Sequence, residues 1–272
     1  MSEEDTVEEK IDPKDIVVNS PMKDTEGVKN NVSEKIYEML EKGRRYFGSS
    51  GAAMTHQAFN PEYAEKNVKP DKAKEHLDGE RDTTTVLKKW VKDKPGAVLI
   101  DSVYVPDWDE EDKVDEETGI IDDGNTDHVI IIGSEVILID TRRWKKKKGY
   151  SVGDDGEALM TNKQFAGGEV TMNKSIHMWL EYLDEDAYVT GIVCINQEEV
   201  NVMRNRNWYT QSYRLVELDR FIELLDEKWK LVDEYDKKHI NTTLVSQVVV
   251  KCIKPFDPYS KVFDMKTLGN FK

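Results

Sequence analysis

The stretch Thr126–Arg142, T-D-H-V-I-I-I-G-S-E-V-I-L-I-D-T-R, constrains the fold more than any other part of the chain. Two β-branched runs flank Gly133-Ser134, and glycine at the first central position of a two-residue loop suits a type II′ hairpin turn. Such a loop sets register, placing Ile132 opposite Glu135, Ile130 opposite Ile137 and Asp127 opposite Asp140. Side chains alternate across a sheet, so Asp127, Val129 and Ile131 share a face with Val136, Leu138, Asp140 and Arg142. Two carboxylates directly opposite one another repel. A proton, Arg142 or a divalent cation must offset that repulsion, and converging carboxylate oxygens are what Mg²⁺ takes as ligands. In an isolated hairpin both acids would simply sit at solvated strand ends, so the surroundings decide.

The chain has 272 residues, enough for one large domain or a domain with extensions. Its net charge of −15 is unevenly placed. Residues 1–30 hold nine acids against four bases, and residues 107–123 hold ten against one, so these two stretches carry −14 of it. The remainder is close to neutral and can carry a local basic site. Residues 1–30 are acidic and poor in aromatics, which predicts a disordered or partner-ordered tail. Apolar runs reach only about four residues, too short for a membrane-spanning helix. No charged-then-apolar leader opens the chain, and the expected setting is cytosolic. Cys194 and Cys252 have no zinc or disulfide spacing and read as buried thiols.

Helix signals precede the hairpin. Ser33 to Phe47 reads as a short amphipathic helix, capped by Ser33 and apolar along Ile36, Met39, Leu40 and Tyr46. Residues 48–70 read as an irregular connection. Asp71 to Lys92 reads as a longer helix ended by Pro95-Gly96, with Leu77, Glu80, Thr84, Leu87 and Val91 on one stripe. Glu80 therefore lies on the inward face, where an isolated carboxylate is costly to bury. It either reaches water near the helix start or faces the same point as Asp127 and Asp140.

Ala97 to Val105 is an expected strand, and residues 106–125 an acidic loop containing a literal Pro106-Asp107 with no strand pattern around it. After the hairpin, Val152 to Val170 reads as Gly-rich and irregular. Asn173 to Leu183 reads as a helix on Ile176, Trp179, Leu180 and Leu183, followed by a strand over Ala187–Ile195 and short ones at Val200–Met203 and Tyr213–Val216. Asp219 is the expected cap of a helix facing inward through Ile222, Leu225, Trp229 and Val232. Leu244–Ile253 is a last strand candidate. This order predicts an α/β fold with a mixed central sheet flanked by helices. Residues 71–235 would form the main domain, with a tail at 1–30, a helical extension at 31–70 and a C-terminal extension at 236–272.

Three short motifs in order, Gly79-Glu80, Thr126-Asp127-His128 and Asp140-Thr141-Arg142-Arg143-Trp144, together with the Asn173 helix and the V-T-G-I-V-C-I strand, resemble the nuclease-related domain (NERD) family of the P-D-(D/E)-x-K nuclease superfamily. The resemblance covers about residues 75–230. It implies a restriction-endonuclease-like fold and a metal-dependent nuclease acting on DNA. Asp127, Asp140 and Glu80 would then bind Mg²⁺ or Mn²⁺, with the Thr141 carbonyl completing the site. The metal would lower the pKa of a bound water and stabilise charge on the phosphate in flight. Where the family has Glu-x-Lys, this chain has Asp140-x-Arg142. Arginine stays protonated and cannot act as a base, although it contacts phosphate well. A second implication is therefore a nuclease fold of impaired activity, serving a larger assembly such as a bacteriophage particle through its terminal extensions. The corresponding location is the virion.

Lys145, Lys146, Lys147 and Lys148 follow Trp144. If the strand continued, Lys146 and Lys148 would lie ~20 Å or more beyond Asp140, too far to replace a lysine at position 142. With Arg142, Arg143 and the Trp144 ring they could track a nucleic-acid backbone, or they could form a solvated hairpin end. His128 points away from Asp127 and reads as a packed or hydrogen-bonded histidine.

Overall fold

The computed structural model describes residues 25–48, 50, 70–106, 125–143, 149–152, 158–161, 164–169, 172–183, 187–196, 201–202 and 213–253. The hairpin is the centre of a six-stranded mixed sheet. Its strands are β1 (Tyr46–Gly48), β2 (Ala97–Tyr104), β3 (Asn125–Ile132), β4 (Glu135–Arg142), β8 (Tyr188–Ile195) and β10 (Tyr213–Glu217), adjacent in that order. β2, β3 and β4 form an antiparallel meander, while β1, β8 and β10 join their neighbours in parallel. Register across the turn is Ile132 opposite Glu135 and Ile130 opposite Ile137, as the two-residue loop requires.

Alternation along the hairpin feeds two cores. Val129, Ile131, Val136 and Leu138 pack into one with helices α1 (Thr25–Glu41), α3 (Met172–Tyr182) and α5 (Thr242–Ile253). Ile130, Ile132, Ile137 and Ile139 pack into the other with α2 (Pro70–Lys92) and α4 (Leu218–Leu231). Strands buried on both faces explain why the two runs are apolar at every position rather than at alternate ones. The Trp90 indole N–H donates to Asp226 Oδ1 at 2.9 Å and ties the two helices of the second layer together.

Gly133 adopts φ +56°, and a Cβ there would run into the Asp236 side chain. Both the left-handed backbone and the close approach require glycine. Gly133→Ala is expected to cost about 2 kcal/mol or more, readable as a lowered urea midpoint at unchanged slope. An unaltered midpoint would mean the turn is not held as described.

The first helix begins at Thr25 and ends at Glu41, so neither its start at Ser33 nor its reach to Phe47 holds. Gly43 at φ +91° closes it, with the Gly43 and Arg44 N–H groups bonded back to Leu40 and Met39. Tyr46 and Phe47 then enter β1. Residues 152–170 are not irregular throughout: β5 (Gly149–Val152), β6 (Ala158–Thr161), β7 (Gln164–Glu169) and β9 (Asn201–Val202) form a second, four-stranded sheet.

Leu180, placed on an inward stripe, is exposed. Asp219 is not the cap of α4. Glu217, the last residue of β10, occupies that position and makes no side-chain capping hydrogen bond, and Asp219 lies in the first turn. There its charge suits the helix N-terminus. Leu244–Ile253 is helix, not strand. Its buried residues Leu244, Val245, Val248 and Val249 follow helical spacing, and Asn241 Oδ1 accepts the Leu244 N–H at 3.1 Å as a cap. Valine's β preference yields here to tertiary packing.

The tail 1–24, most of 49–69, the acidic loop 107–124, and residues 144–148 and 254–272 lie outside the described residues. No described helix is long and apolar enough to cross a membrane.

Candidate functional site

The acids meet where β3 begins and β4 ends. Asp127 is buried, and its Oδ2 accepts the Thr141 backbone N–H at 2.6 Å across the hairpin. Asn125 Nδ2 donates to its Oδ1 at 3.2 Å. Burial pushes the Asp127 carboxyl well above its ordinary range, and the nearby charges of Glu80 and Asp140 push it further. The His128 charge and the Thr141 hydrogen bond act in the opposite sense without reversing it. This is the like-charge conflict that the hairpin register implied, with Glu80 added.

Glu80 is buried in α2. Gly79, immediately before it, lets the helix approach β4: a Cβ at Gly79 would lie 3.4 Å from Arg143 Cβ. Asn196, just beyond β8, locks this approach. Its backbone N–H donates to the Arg142 carbonyl at 2.9 Å, and its side-chain amide donates to the Gly79 carbonyl at 2.7 Å and to Thr83 Oγ1 at 3.1 Å. One asparagine thus joins the helix that carries Glu80 to the strand that carries Asp140.

Glu80, Asp127 and Asp140 do not share one side of the sheet. By strand alternation Asp127 and Asp140 face the α1–α3–α5 layer, whereas α2 covers the other face. Glu80 approaches the end of the sheet from the opposite layer. Arg142 Nε donates to Asp140 Oδ2 at 2.8 Å. Among the described residues no three His, Cys, Asp or Glu side chains are gathered so as to hold a metal ion. Glu80 and Asp140 lie close enough to Asp127 to raise the pKa of its carboxyl.

The donor chemistry nevertheless suits a hard cation. All three groups offer carboxylate oxygen, and the buried Asn125 Oδ1 beside Asp127 has no hydrogen-bond partner among the described residues. Asp127, Asp140 and Glu80 are the residues that would hold the ion once Asp140 turned from Arg142. The described contact from Thr141 is its N–H to Asp127, where its carbonyl was the expected contributor.

Arg143 leans toward α2, with Nη1 3.7 Å from Asp82 Oδ2 in a half-exposed pair of little energetic weight. Trp144, Lys145, Lys146, Lys147 and Lys148 lie outside the described residues. The literal Pro106-Asp107 is described only as far as Pro106.

Behind the acids lies a polar network around His128, the histidine expected to be packed or hydrogen-bonded, and around Asp101, which no sequence motif marks. Asp101 on β2 is fully buried, and its Oδ1 lies 2.8 Å from His128 Nδ1. Its Oδ2 accepts the Thr84 hydroxyl at 2.8 Å and the Tyr46 hydroxyl at 3.1 Å. His128 Nε2 lies 3.1 Å from Thr141 Oγ1. Burial alone would lower the pKa of His128. Asp101, by charge and hydrogen bond, and then Asp127 and Asp140 outweigh burial and raise it. The available signal was a carboxylate inside the apolar run A-V-L-I-D-S-V-Y.

Ser102, next along β2, has φ +54°, uncommon for a residue with a side chain. Asp101 pairs with His128 and Val103 with Thr126, so Ser102 lies across from Asp127. Backbone strain of this kind costs of order 1–3 kcal/mol and clusters at functional sites. Cys194 is buried, and burial raises its thiol pKa, which makes it an inert core residue. Comparison of the chain with family models, with curated proteins and with solved structures found no match.

Proposed function

We propose that this chain is a restriction-endonuclease-like, divalent-metal-dependent nuclease that hydrolyses DNA phosphodiester bonds. Asp127, Asp140 and Glu80 hold Mg²⁺ or Mn²⁺, Arg142 contacts phosphate, and Arg143, Trp144 and Lys145–Lys148 track the nucleic-acid backbone. The observation that carries this reading is the buried Asp127 carboxyl, disfavoured as an anion by burial and by the two neighbouring acids. A group so placed is relieved by a proton or by a cation, and perturbed carboxyl groups of this kind mark functional sites. When bound, the ion would supply an acidified water and stabilise charge on the phosphate. The chain's own residues orient the acids through the Thr141 N–H and the Asn196 clamp.

The Arg142–Asp140 pair favours a second reading. A guanidinium that occupies a ligand oxygen and cannot accept a proton suits a nuclease fold of impaired activity. In that case the protein serves as a binding or structural part of a larger assembly, such as a phage particle, through its terminal extensions. The cytoplasm is the proposed location for the enzyme and the virion for the assembly component.

The test is Mn²⁺ affinity by calorimetry alongside plasmid cleavage, for wild type and Asp127→Ala. Ion binding that disappears in Asp127→Ala is expected. Robust cleavage that survives Asp127→Ala would overturn the site.

A further inference from the structure

We infer that Asp101 and His128 are positioning residues for the acid site, acting through Thr141 to hold the Asp127 carboxylate where an ion can use it. The inference rests on the proposed metal site and adds to it the groups that set its geometry.

The chain of contacts is continuous and buried. Asp101 is fixed from three directions: His128 Nδ1 at 2.8 Å, the Thr84 hydroxyl at 2.8 Å and the Tyr46 hydroxyl at 3.1 Å. These contacts come from β3, α2 and β1, so three separate elements clamp one carboxylate. A carboxylate that accepts at Oδ1 requires a proton on His128 Nδ1, which sets the ring's orientation and directs Nε2 at Thr141 Oγ1, 3.1 Å away. Thr141 is thereby anchored by its side chain on the α2 side of the sheet. Its backbone N–H donates to Asp127 Oδ2 at 2.6 Å.

Both ring nitrogens of His128 are thus engaged, and both Asp101 and His128 are fully buried. Replacing a buried ion pair by apolar side chains is often neutral or stabilising, so fold stability alone is a weak reason for this arrangement. Tuning a ligand's position from one layer further out is a stronger one. Partners of metal ligands typically account for 10–100-fold in affinity.

Ile130 lies two residues along β3 on the same face, buried and without polar contacts, and supplies the control for simple loss of packing. The experiment compares wild type, His128→Ala, His128→Gln, Asp101→Asn and Ile130→Val. Two quantities are read: Mn²⁺ affinity by calorimetry, and the chemical shift of the Thr141 amide proton in the metal-free protein. A short N–H bond to a carboxylate moves that proton downfield.

His128→Ala is expected to bind Mn²⁺ about ten- to a hundredfold more weakly and to lose the downfield Thr141 position. His128→Gln and Asp101→Asn, which can keep part of the hydrogen bonding, should recover some of each. Ile130→Val should change neither. The inference is overturned if wild type binds the ion and His128→Ala binds it equally well, or if His128→Ala and Ile130→Val weaken binding alike. If wild type binds no ion, the proposed function fails on its own. The Thr141 amide then still decides the positioning claim, which is lost if that proton stays in place in His128→Ala.

Discussion

Asp127→Asn is expected to reverse the order of stability between variant and wild type according to whether a divalent ion is present. Without the ion the variant should be the more stable at neutral pH. Asparagine keeps an oxygen for the Thr141 N–H and removes a buried charge that Glu80 and Asp140 oppose. Relief of such a charge is worth about 1 kcal/mol or more, or a rise in Tm of ~2–4 °C for a domain of this size. With Mn²⁺ at a hundred times its Kd, wild type should gain about 2.7 kcal/mol by mass action while the variant gains little. The two melting curves therefore exchange places, a pattern that general destabilisation does not produce. Scanning calorimetry with chelator and with Mn²⁺ reads it directly, and a variant less stable than wild type in both conditions would remove Asp127 from the site.

The same group sets a pH dependence. An acid whose folded pKa is raised above its unfolded value of 3.8 favours folding fully below that value, and the contribution is lost as pH rises through the folded pKa. His128, raised above 6.5, adds a second loss of the same sign at higher pH. The contributions of Asp127 and His128 to metal-free stability should therefore fall as pH rises from about 4. Asp127→Asn should abolish the lower part of that loss and leave the part belonging to His128. A stability difference between metal-free wild type and Asp127→Asn that does not change with pH across this range would contradict the burial of Asp127 among like charges.

The hairpin was legible because a two-residue loop leaves one register, and that register put Asp127 and Asp140 on one face. The helix bearing Glu80 was legible from its stripe, but a stripe states only that a residue points inward. It does not state which face of the sheet the helix covers, and α2 covers the one opposite Asp127. Asp101 interrupts an apolar run, yet its partner depends on how β2 pairs with β3 across the long acidic connection, which carries no register signal. Asn196 binds Gly79 from a strand end far along the chain, a contact that local pattern cannot reveal. Leu244–Ile253 is rich in valine, which favours strand, but the Asn241 cap and the helical spacing of Leu244, Val245, Val248 and Val249 prevail. The resemblance to NERD proteins rests on the order of short motifs alone.

Arg142→Lys is expected to turn weak or absent cleavage into measurable turnover. Under the proposed function, Arg142 would act against the chemistry twice in wild type. Its Nε holds Asp140 Oδ2 at 2.8 Å, and its guanidinium stays protonated and cannot take a proton from water near neutral pH. Lysine has no donor at the Nε position, so Asp140 is released to face Asp127. Its amine can also position a water and exchange a proton with it. Positioned acid–base groups typically contribute 10²–10⁴-fold, so a gain of about 100-fold in plasmid nicking is the expected scale. Arg142→Gln separates the two effects: it frees Asp140 without supplying an amine. Ion affinity should rise in both variants and cleavage only in Arg142→Lys. Equal cleavage by the two would assign the whole effect to Asp140. Ion binding in wild type with no cleavage gained by Arg142→Lys would leave the acids as a structural site and favour the assembly role, because the missing amine would then not be what keeps the fold silent.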